Sequence, residues 1–250
     1  TIGGIDFASL ISNDINKEPG VHYQVEKFGF LGTTGVEGTV LFVGAKSPLK
    51  TIEDLKAKKG LKFAGTTPSG MRGIALMVAA YCLDLDAKIV TGFKGGKDAD
   101  LSVIQGETDG SGQVSGSYLR NEEAKLIRGI FAIDNGRIPG VPHIPALTEL
   151  VKLPKEKQDL LDLILLFRPS KGAFVTPGVS QERLRFLQEV YAQTLKREDF
   201  NRELEKLMGY KGVHSLSAED ALALAQKGKA NEKVWQERVQ FLFKKYRASL

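Results

Sequence analysis

The segment with the clearest chemical potential is a short loop bounded by two glycines. Gly65-Thr66-Thr67-Pro68-Ser69-Gly70 joins a strand predicted at Leu61–Ala64 to a helix predicted over residues 72–83. Unpaired backbone N–H groups and the helix dipole at such a junction attract an anion. Glycines let a ligand approach the main chain, and the Thr and Ser hydroxyls add donors. The loop predicts a carboxylate or phosphate site, and a plain turn that only caps the helix is the alternative interpretation.

The sequence matches two nucleotide-binding motifs only in part. Met71 and Arg72 follow the glycine loop at the positions where a phosphate-binding loop needs Lys and then Ser or Thr. Residues 110–115, Gly-Ser-Gly-Gln-Val-Ser, match half of a dinucleotide fingerprint, but the third glycine is absent and residues 106–109 are not a clear buried strand. We therefore expect neither nucleoside triphosphate nor dinucleotide binding.

A second polar loop, residues 92–98, follows a strand predicted to end near Thr91 and precedes a helix predicted over residues 98–105. In an open parallel sheet, ligands bind at the carboxyl ends of the strands, so both loops are predicted to face one crevice. Lys94 and Lys97 would favour an anion there, and the alternative is that both lysines are simply solvated.

Residue types that perform catalysis are sparse. His22, His143 and His214 are far apart and have no metal-ligand spacing, and the sequence contains neither a nucleophile elbow nor a zinc-protease motif. Cys82, the single cysteine, follows an apolar run and is predicted to be a buried structural thiol. The pattern favours binding over catalysis, with no metal and no cofactor.

The composition is that of an ordinary globular protein. The 250 residues are 42% hydrophobic and 26% charged, and 35 basic against 30 acidic residues give a net charge of +5, which suits an anionic partner. Lys and Arg are scattered rather than clustered, so no nucleic acid is expected. No apolar run reaches transmembrane length. The start has no initiator Met and no secretory pattern, which predicts a processed or truncated chain.

Short strand-like runs alternate with amphipathic helices, which predicts a mostly parallel α/β sheet. A helix capped by Thr51 is predicted to end at Gly60, and Ser180 and Ser217 are predicted to cap later helices. The run at residues 160–167 is apolar but of uncertain type. The last helix, with Trp235, is predicted to pack on a first lobe.

Taken in order, these segments resemble the TctC/Bug family, the substrate-binding proteins of tripartite tricarboxylate transporters. The resemblance covers roughly residues 39–225 and is carried by six short stretches, which are residues 47–55, 61–66, 93–95, 106–109, 139–142 and 175–179. Each match is unspecific by itself, and their order and spacing make the combination specific.

The resemblance implies an α/β, two-lobed periplasmic-binding-protein type II fold. Residues 1–46 and 169–250 would form the first lobe, and residues 47–168 the second. The first strand and glycine-rich loop of the family would precede Thr1, so the N-terminal part of the first lobe is expected to be missing. The implied function is a periplasmic, or otherwise extracytoplasmic and membrane-associated, receptor that is not an enzyme. It would capture a small organic anion, a carboxylate, between the lobes and deliver it to the membrane permease subunits of a tripartite transporter.

Ligand-binding residues follow from the resemblance by position. The carboxylate loop of the second lobe would comprise Thr66, Thr67, Ser69, Gly70, Met71, Arg72 and Gly73, and Lys94, Gly95, Gln113, Ser117, Arg168 and Ser170 would also face the ligand. Gln113 stands where the family often has Asp or Asn, which puts the usual ligand type in question.

Two other functions remain open from the residues alone. An α/β enzyme acting on a phosphorylated or carboxylated metabolite would need a paired base and nucleophile in the crevice, with Asp109 or Lys94 as candidates. A receptor-like domain whose cleft binds a protein partner is the third interpretation.

Overall fold

The computed structural model describes residues 2–18, 20–67, 70–168 and 170–246. The chain forms two compact units: unit 1 is Thr1–Glu37 with Leu166–Gln236, and unit 2 is Gly38–Leu165 with Glu237–Leu250. These differ from the predicted lobes at residues 38–46, 166–168 and 237–250. The first difference arises because the strand at Thr39–Gly44 is hydrogen-bonded on both sides within the sheet of unit 2.

Unit 1 is built on a three-stranded antiparallel sheet, in the order β1-β8-β2. Its strands are β1 (Ile2–Asp6), β2 (Gly29–Thr34) and β8 (Lys171–Val175). Its helices are α1 (Phe7–Asn16), α8 (Gln181–Lys196), α9 (Glu198–Met208) and α10 (Ala218–Ala230), with a 3₁₀ turn at Val25–Lys27. The predicted caps are present, because the Ser180 and Ser217 side chains accept N–H bonds from the first turns of α8 and α10.

The centre of unit 1 is aromatic. Trp235, at the start of α11 (Glu232–Tyr246), is fully buried, and its ring meets that of Phe167 edge to face at 4.7 Å. Its indole N–H donates to the Asn16 side chain at 3.1 Å. A Cβ at Gly228 would lie 2.8 Å from the Phe167 ring, so only glycine lets α10 approach this pair so closely.

Unit 2 holds a five-stranded sheet in the order β5-β4-β6-β3-β7. Its strands are β3 (Thr39–Gly44), β4 (Leu61–Ala64), β5 (Ala87–Val90), β6 (Gly110–Val114) and β7 (Ile127–Ala132). Its helices are α2 (Ile52–Ala57), α3 (Met71–Cys82), α4 (Gly96–Ile104), α5 (Ser115–Glu123), α6 (Leu147–Leu150) and α7 (Lys155–Leu165).

The prediction of a mostly parallel sheet is wrong in detail. Strands β5, β4 and β6 are parallel, but β3 inserts antiparallel between β6 and β7. The reason lies in the connections: the parallel strands are joined through helices α3 and α4, whereas β3 enters from unit 1 in the opposite direction. The parallel part still brings three strand ends to one edge.

Helix α3 is covered on both sides, which explains its apolar composition. Tyr81 donates its hydroxyl proton to Glu156 on α7 at 3.2 Å, and the Cys82 thiol lies 3.8 Å from the Lys157 carbonyl. Burial raises the pKa of Cys82 to about 12, so its predicted role as a buried thiol is confirmed by its position.

The last helix departs from its predicted packing. Trp235 belongs to unit 1, as expected, but Leu242 and Tyr246 are buried in unit 2. The run at residues 160–167, whose type the sequence left open, comprises the end of helix α7 up to Leu165 and a turn. Within the described residues, no helix is both long and apolar enough to cross a membrane.

Candidate functional site

The carboxyl ends of the parallel strands β4, β5 and β6 in unit 2 form one edge, which we call the strand-end edge. Three helices start there: α3 after β4, α4 after β5 and α5 after β6. Their N-cap residues are Gly70, Gly95 and Val114, which offer no side-chain acceptor. By contrast, Thr51 caps α2 through a complete capping box with Asp54. The helices at the strand-end edge therefore lack the N-cap acceptor that side chains provide elsewhere.

The glycine loop is held against the sheet at its start and tight at its end. The Gly65 N–H donates to the Val90 carbonyl at 2.8 Å, which ties the loop to β5. A Cβ at Gly70 would lie 2.6 Å from Thr67 Oγ1, so the backbone passes directly beside that hydroxyl. Glycine at position 70 therefore lets the start of α3 pass close to Thr67.

A partly buried polar network connects the start of α3 with α4 and β6. Arg72, in the first turn of α3, donates to Asp100 Oδ1 on α4 at 2.6 Å, to Ser111 Oγ on β6 at 3.3 Å and to the Gly96 carbonyl at 3.4 Å. Ser111 in turn donates to the Ala64 carbonyl at 2.6 Å. Arg72 therefore ties the start of α3 to α4 and β6, and its charge is directed at Asp100 rather than left for a ligand.

Gln113, the penultimate residue of strand β6, completes this network. Its Nε2 donates to Asp100 Oδ2 at 2.5 Å, and the residue is 1% exposed. Its Oε1 is buried and has no hydrogen-bond partner among the described residues. Because strand side chains alternate, Ser111 and Gln113 share one face of β6, while Gly112 faces Leu76 of α3. The Gly-Ser-Gly-Gln pattern thus separates a close-packed face from a polar face.

A groove of about 380 Å³ runs between α4 and α5 above this polar face. It is lined by Lys97, Asp98, Asp100, Leu101, Ile104, Gln113, Ser117, Arg120 and Asn121. Arg120 donates to Ser117 Oγ at 3.1 Å, so these two side chains are joined across one turn of α5. The groove is small, its lining combines charged with apolar side chains, and the Gln113 amide lies in its wall.

The structure brings most of the predicted site residues to the strand-end edge. Thr66, Thr67, Gly70, Met71, Arg72 and Gly73 form the loop and first turn of α3, Lys94 and Gly95 precede α4, and Gln113 and Ser117 line the groove. Lys94 and Lys97 are exposed and form no ion pair within the described chain. Gly73 is buried, and Ser69 lies outside the described residues.

Arg168 and Ser170 belong to unit 1, where they immediately precede β8. The Ser170 carbonyl accepts the Phe7 N–H at 2.9 Å, which joins the start of α1 to β8. The Ser170 hydroxyl is buried without a partner in the described part of the chain. These two residues therefore belong to a different unit from the glycine loop.

Sequence reasoning missed Asp100 and Ser111, which organise the polar network. A signal for Asp100 exists, since it falls among Ala99 and Val103 on the buried side of α4, where a carboxylate requires a partner. Ser111 has no such signal. Its strand was obscured by Gly110 and Gly112, which are needed because a Cβ at Gly110 would lie 2.7 Å from the Phe42 carbonyl.

The two residues considered for catalysis, Asp109 and Lys94, lie at opposite ends of the strands of unit 2. Asp109 sits at the amino ends of the strands, where it accepts the Lys62 N–H at 2.8 Å and pairs with Lys58 at 3.1 Å, whereas Lys94 follows the carboxyl end of β5. The residues with the half-matched dinucleotide fingerprint form strand β6 and the start of α5. Among the described residues, no group of three His, Cys, Asp or Glu side chains is placed to hold a metal.

One further titratable cluster lies elsewhere in unit 2. Tyr118 donates to Glu122 at 2.5 Å, and His143 Nε2 is 2.9 Å from the same carboxylate. Burial, followed by the hydrogen bond to Glu122, raises the pKa of Tyr118 well above its usual range. The Tyr118 hydroxyl also accepts the Gly129 N–H at 2.9 Å, so the cluster fastens α5 to β7.

Comparison with known proteins identifies the fold. No protein-family model matches the chain, and no curated protein matches its sequence. Among solved structures, a TctC solute-binding protein from Polaromonas aligns with a TM-score of 0.68 at 14% identity, over 95% of this chain and 77% of its own. MatC from Rhodopseudomonas palustris with bound malate gives 0.70 at 17% identity, over 96% and 79%. An R. palustris protein with adipate gives 0.73 at 14% identity, over 99% and 77%.

At these identities the likeness concerns the fold. The chain has the α/β fold of the TctC-type periplasmic binding proteins, as the resemblance predicted, and it spans 77% to 79% of the length of these three structures.

Proposed function

We propose that this chain is an extracytoplasmic solute-binding receptor for a small organic anion, a carboxylate, which it delivers to the membrane permease of a tripartite transporter. The observation that carries the proposal is the strand-end edge of unit 2. Three helices begin there behind N-cap residues without a side-chain acceptor. Lys94 and Lys97, which form no ion pair with any described residue, stand beside them. Helix N-termini and nearby cations are the arrangement that favours a bound carboxylate.

The polar network supports binding rather than chemistry. Arg72 and Asp100 form an ion pair, and Ser111 donates to the Ala64 carbonyl, so these side chains connect the elements of the edge. Groups that are already held in place lose little conformational entropy when an anion binds. No nucleophile with a neighbouring base stands at this edge among the described residues, so we favour a receptor over an enzyme.

The structural neighbours support the ligand class and the location. One of them is a TctC solute-binding protein, and two others carry malate and adipate, both of which are small carboxylic acids. Other neighbours are described as a periplasmic binding protein and a periplasmic transporter, which supports an extracytoplasmic location for this chain. The permease partner is inferred from the tripartite type of transporter that the fold serves.

Isothermal titration calorimetry with a panel of mono-, di- and tricarboxylates tests the proposal directly. We expect at least one member to bind, with affinity that falls as salt is added because the attraction is partly electrostatic. Absence of binding across the panel, with protein shown to be folded by circular dichroism, would contradict the proposal.

A pair of glycine variants locates the site. Gly70→Ala places a methyl group 2.6 Å from Thr67 Oγ1, so the loop must shift, and we expect the carboxylate to bind about tenfold more weakly, as after losing one charge-assisted hydrogen bond. Gly136→Ala is the matched control, because a Cβ at Gly136 meets nothing within 4 Å. Equal affinities for the two variants would place the anion elsewhere.

A further inference from the structure

A cavity of about 770 Å³ lies in unit 1, where strand β8 ends and strand β2 begins. We call it the unit 1 cavity. Its lining includes His22, Tyr23, Lys27, Phe28, Thr176 and Pro177, and the other lining residues are a glycine and a glutamine. Thr176 follows β8 and Ser170 precedes it, so these two residues stand about 20 Å apart along the strand. The cavity thus shares no described residue with the proposed carboxylate site, whose predicted residues in unit 1 lie at the other end of β8.

The aromatic wall of the cavity is held in place by contacts within unit 1. The ring of Phe28 lies 4.8 Å from that of Phe174 on β8 and 5.5 Å from that of Tyr23. The Tyr23 hydroxyl donates to a backbone carbonyl of α1 at 3.0 Å. The N–H of Val25 donates to Asp14 Oδ2 at 2.8 Å, which fixes the adjacent 3₁₀ turn. The wall is therefore preformed, as ligand sites usually are.

The cavity offers a ligand both ring surface and positive charge. Tyr23 and Phe28 are half-buried, so part of each ring stays open to a ligand. The ionisable groups besides Tyr23 in the lining are Lys27 and His22, which are exposed and form no ion pair with any described residue. Glu26 adjoins Lys27 in the chain, but it does not line the cavity.

This combination selects the chemistry of the ligand. A cationic lining without a carboxylate attracts an anionic group and opposes an ammonium group. Aromatic rings bury a large apolar area and stack in defined geometries on a ligand that has a ring of its own. An aliphatic anion would use only the charge, and a neutral aromatic compound would use only the rings.

We infer that the unit 1 cavity is a second binding site, which takes a small aromatic anion. The ring of the ligand packs against Tyr23 and Phe28, and its negative group meets Lys27. The site is independent of the carboxylate site proposed for unit 2, so a ligand can occupy either one without the other.

A nuclear magnetic resonance titration of the ¹⁵N-labelled whole chain tests the inference. The probe is benzenesulfonate, and the comparison compounds are methanesulfonate, which keeps the charge without the ring, and benzenesulfonamide, which keeps the ring without the charge. We expect benzenesulfonate to shift the amide signals of residues 20–28 and of Thr176. Each comparison compound should bind there about fivefold or more weakly, as after losing one favourable contact.

Variants of the lining separate binding from folding. Lys27→Met removes the charge and should raise the dissociation constant of benzenesulfonate about fivefold, whereas Lys27→Arg should leave it nearly unchanged. Lys196→Met is the matched control, because Lys196 is an exposed lysine of unit 1 at the end of α8 and does not line the cavity. Thr176→Trp fills the cavity from an exposed position and should abolish binding. The dispersion of the same spectra shows that each variant is folded.

The results that would overturn the inference are specific to this cavity. They are equal affinity for benzenesulfonate and methanesulfonate, unchanged binding in Lys27→Met or Thr176→Trp, and signal shifts confined to the strand-end edge of unit 2. The receptor function stands in each case, because calorimetry with the carboxylate panel measures it separately. Failure of that panel would likewise leave the aromatic site unaffected.

Discussion

Replacing Arg72 by Met tests whether this side chain holds the structure or holds the ligand. The change removes the donor to Asp100 Oδ1 and the bonds to Ser111 and Gly96, and it leaves the Asp100 carboxylate with Gln113 alone. Removing one partner of a fully buried ion pair costs about 3–5 kcal/mol. The Arg72 and Asp100 side chains are 20% and 12% exposed, so solvent reduces that cost, and we expect about 2–3 kcal/mol of lost stability.

Urea unfolding followed by far-ultraviolet circular dichroism measures this loss. With a denaturant dependence of about 2 kcal/mol per molar, the expected destabilisation lowers the unfolding midpoint by about 1 M. The matched control is Arg137→Met in the same unit, where Arg137 and Glu149 form a pair with side chains 50% and 38% exposed. That variant should shift the midpoint far less, because exposed pairs contribute roughly 0–1 kcal/mol.

A double variant identifies the cause. Arg72→Met combined with Asp100→Leu removes both charges, and apolar residues of similar size often restore most of the stability lost with a buried ion pair. The reasoning is refuted if Arg72→Met unfolds at the same urea concentration as Arg137→Met. Weaker anion binding with unchanged stability would show instead that Arg72 contacts the ligand directly.

Two other predictions follow from burial in the structure. The thiol of Cys82, whose pKa burial raises to about 12, should not react with an aromatic disulfide reagent at pH 8 in the native chain and should react fully in urea; fast native labelling would contradict its placement. Burial raises the pKa of several tyrosines above their value in the unfolded chain, so the native state favours the neutral phenols. The free energy of unfolding should therefore fall as the pH rises through and beyond about 10, where these phenols ionise. The tyrosines concerned are Tyr23, Tyr81, Tyr118, Tyr191 and Tyr246. Phenolate absorbance at 295 nm and pH 11 should accordingly be lower in the native chain than in the urea-unfolded chain. Equal absorbance would refute this prediction.

Local elements of unit 2 could be predicted from the sequence because their signals act over a few residues. The box of Thr51 and Asp54 starts α2, and the strand at Leu61–Ala64 has its predicted bounds. The composition of the glycine loop before α3 predicted an anion site, with a plain turn as the alternative, and this stays a prediction. The fold class followed from the order of short motifs, each too weak to decide it alone.

Strand β6 shows where pattern reasoning failed. Its glycines removed the alternation of apolar residues by which strands are recognised. They are present because neighbouring strands and helix α3 approach the backbone closely, as the Phe42 carbonyl does at Gly110. That requirement is set by residues far away in the chain, so the segment itself contains no sign of it.

The sequence by itself determined which residue types stand at the helix starts: the glycines at 70 and 95, the lysines at 94 and 97, and the absence of a triphosphate-binding lysine. Only the tertiary structure decided that Arg72 pairs with Asp100, 28 residues away. It also decided that Asp100 accepts a hydrogen bond from Gln113, 13 residues further on. Pairing of this kind depends on strand order and register, which arise from hydrogen bonds and packing between distant segments. For that reason the unpaired oxygen of Gln113 became visible only once the sheet had been assembled.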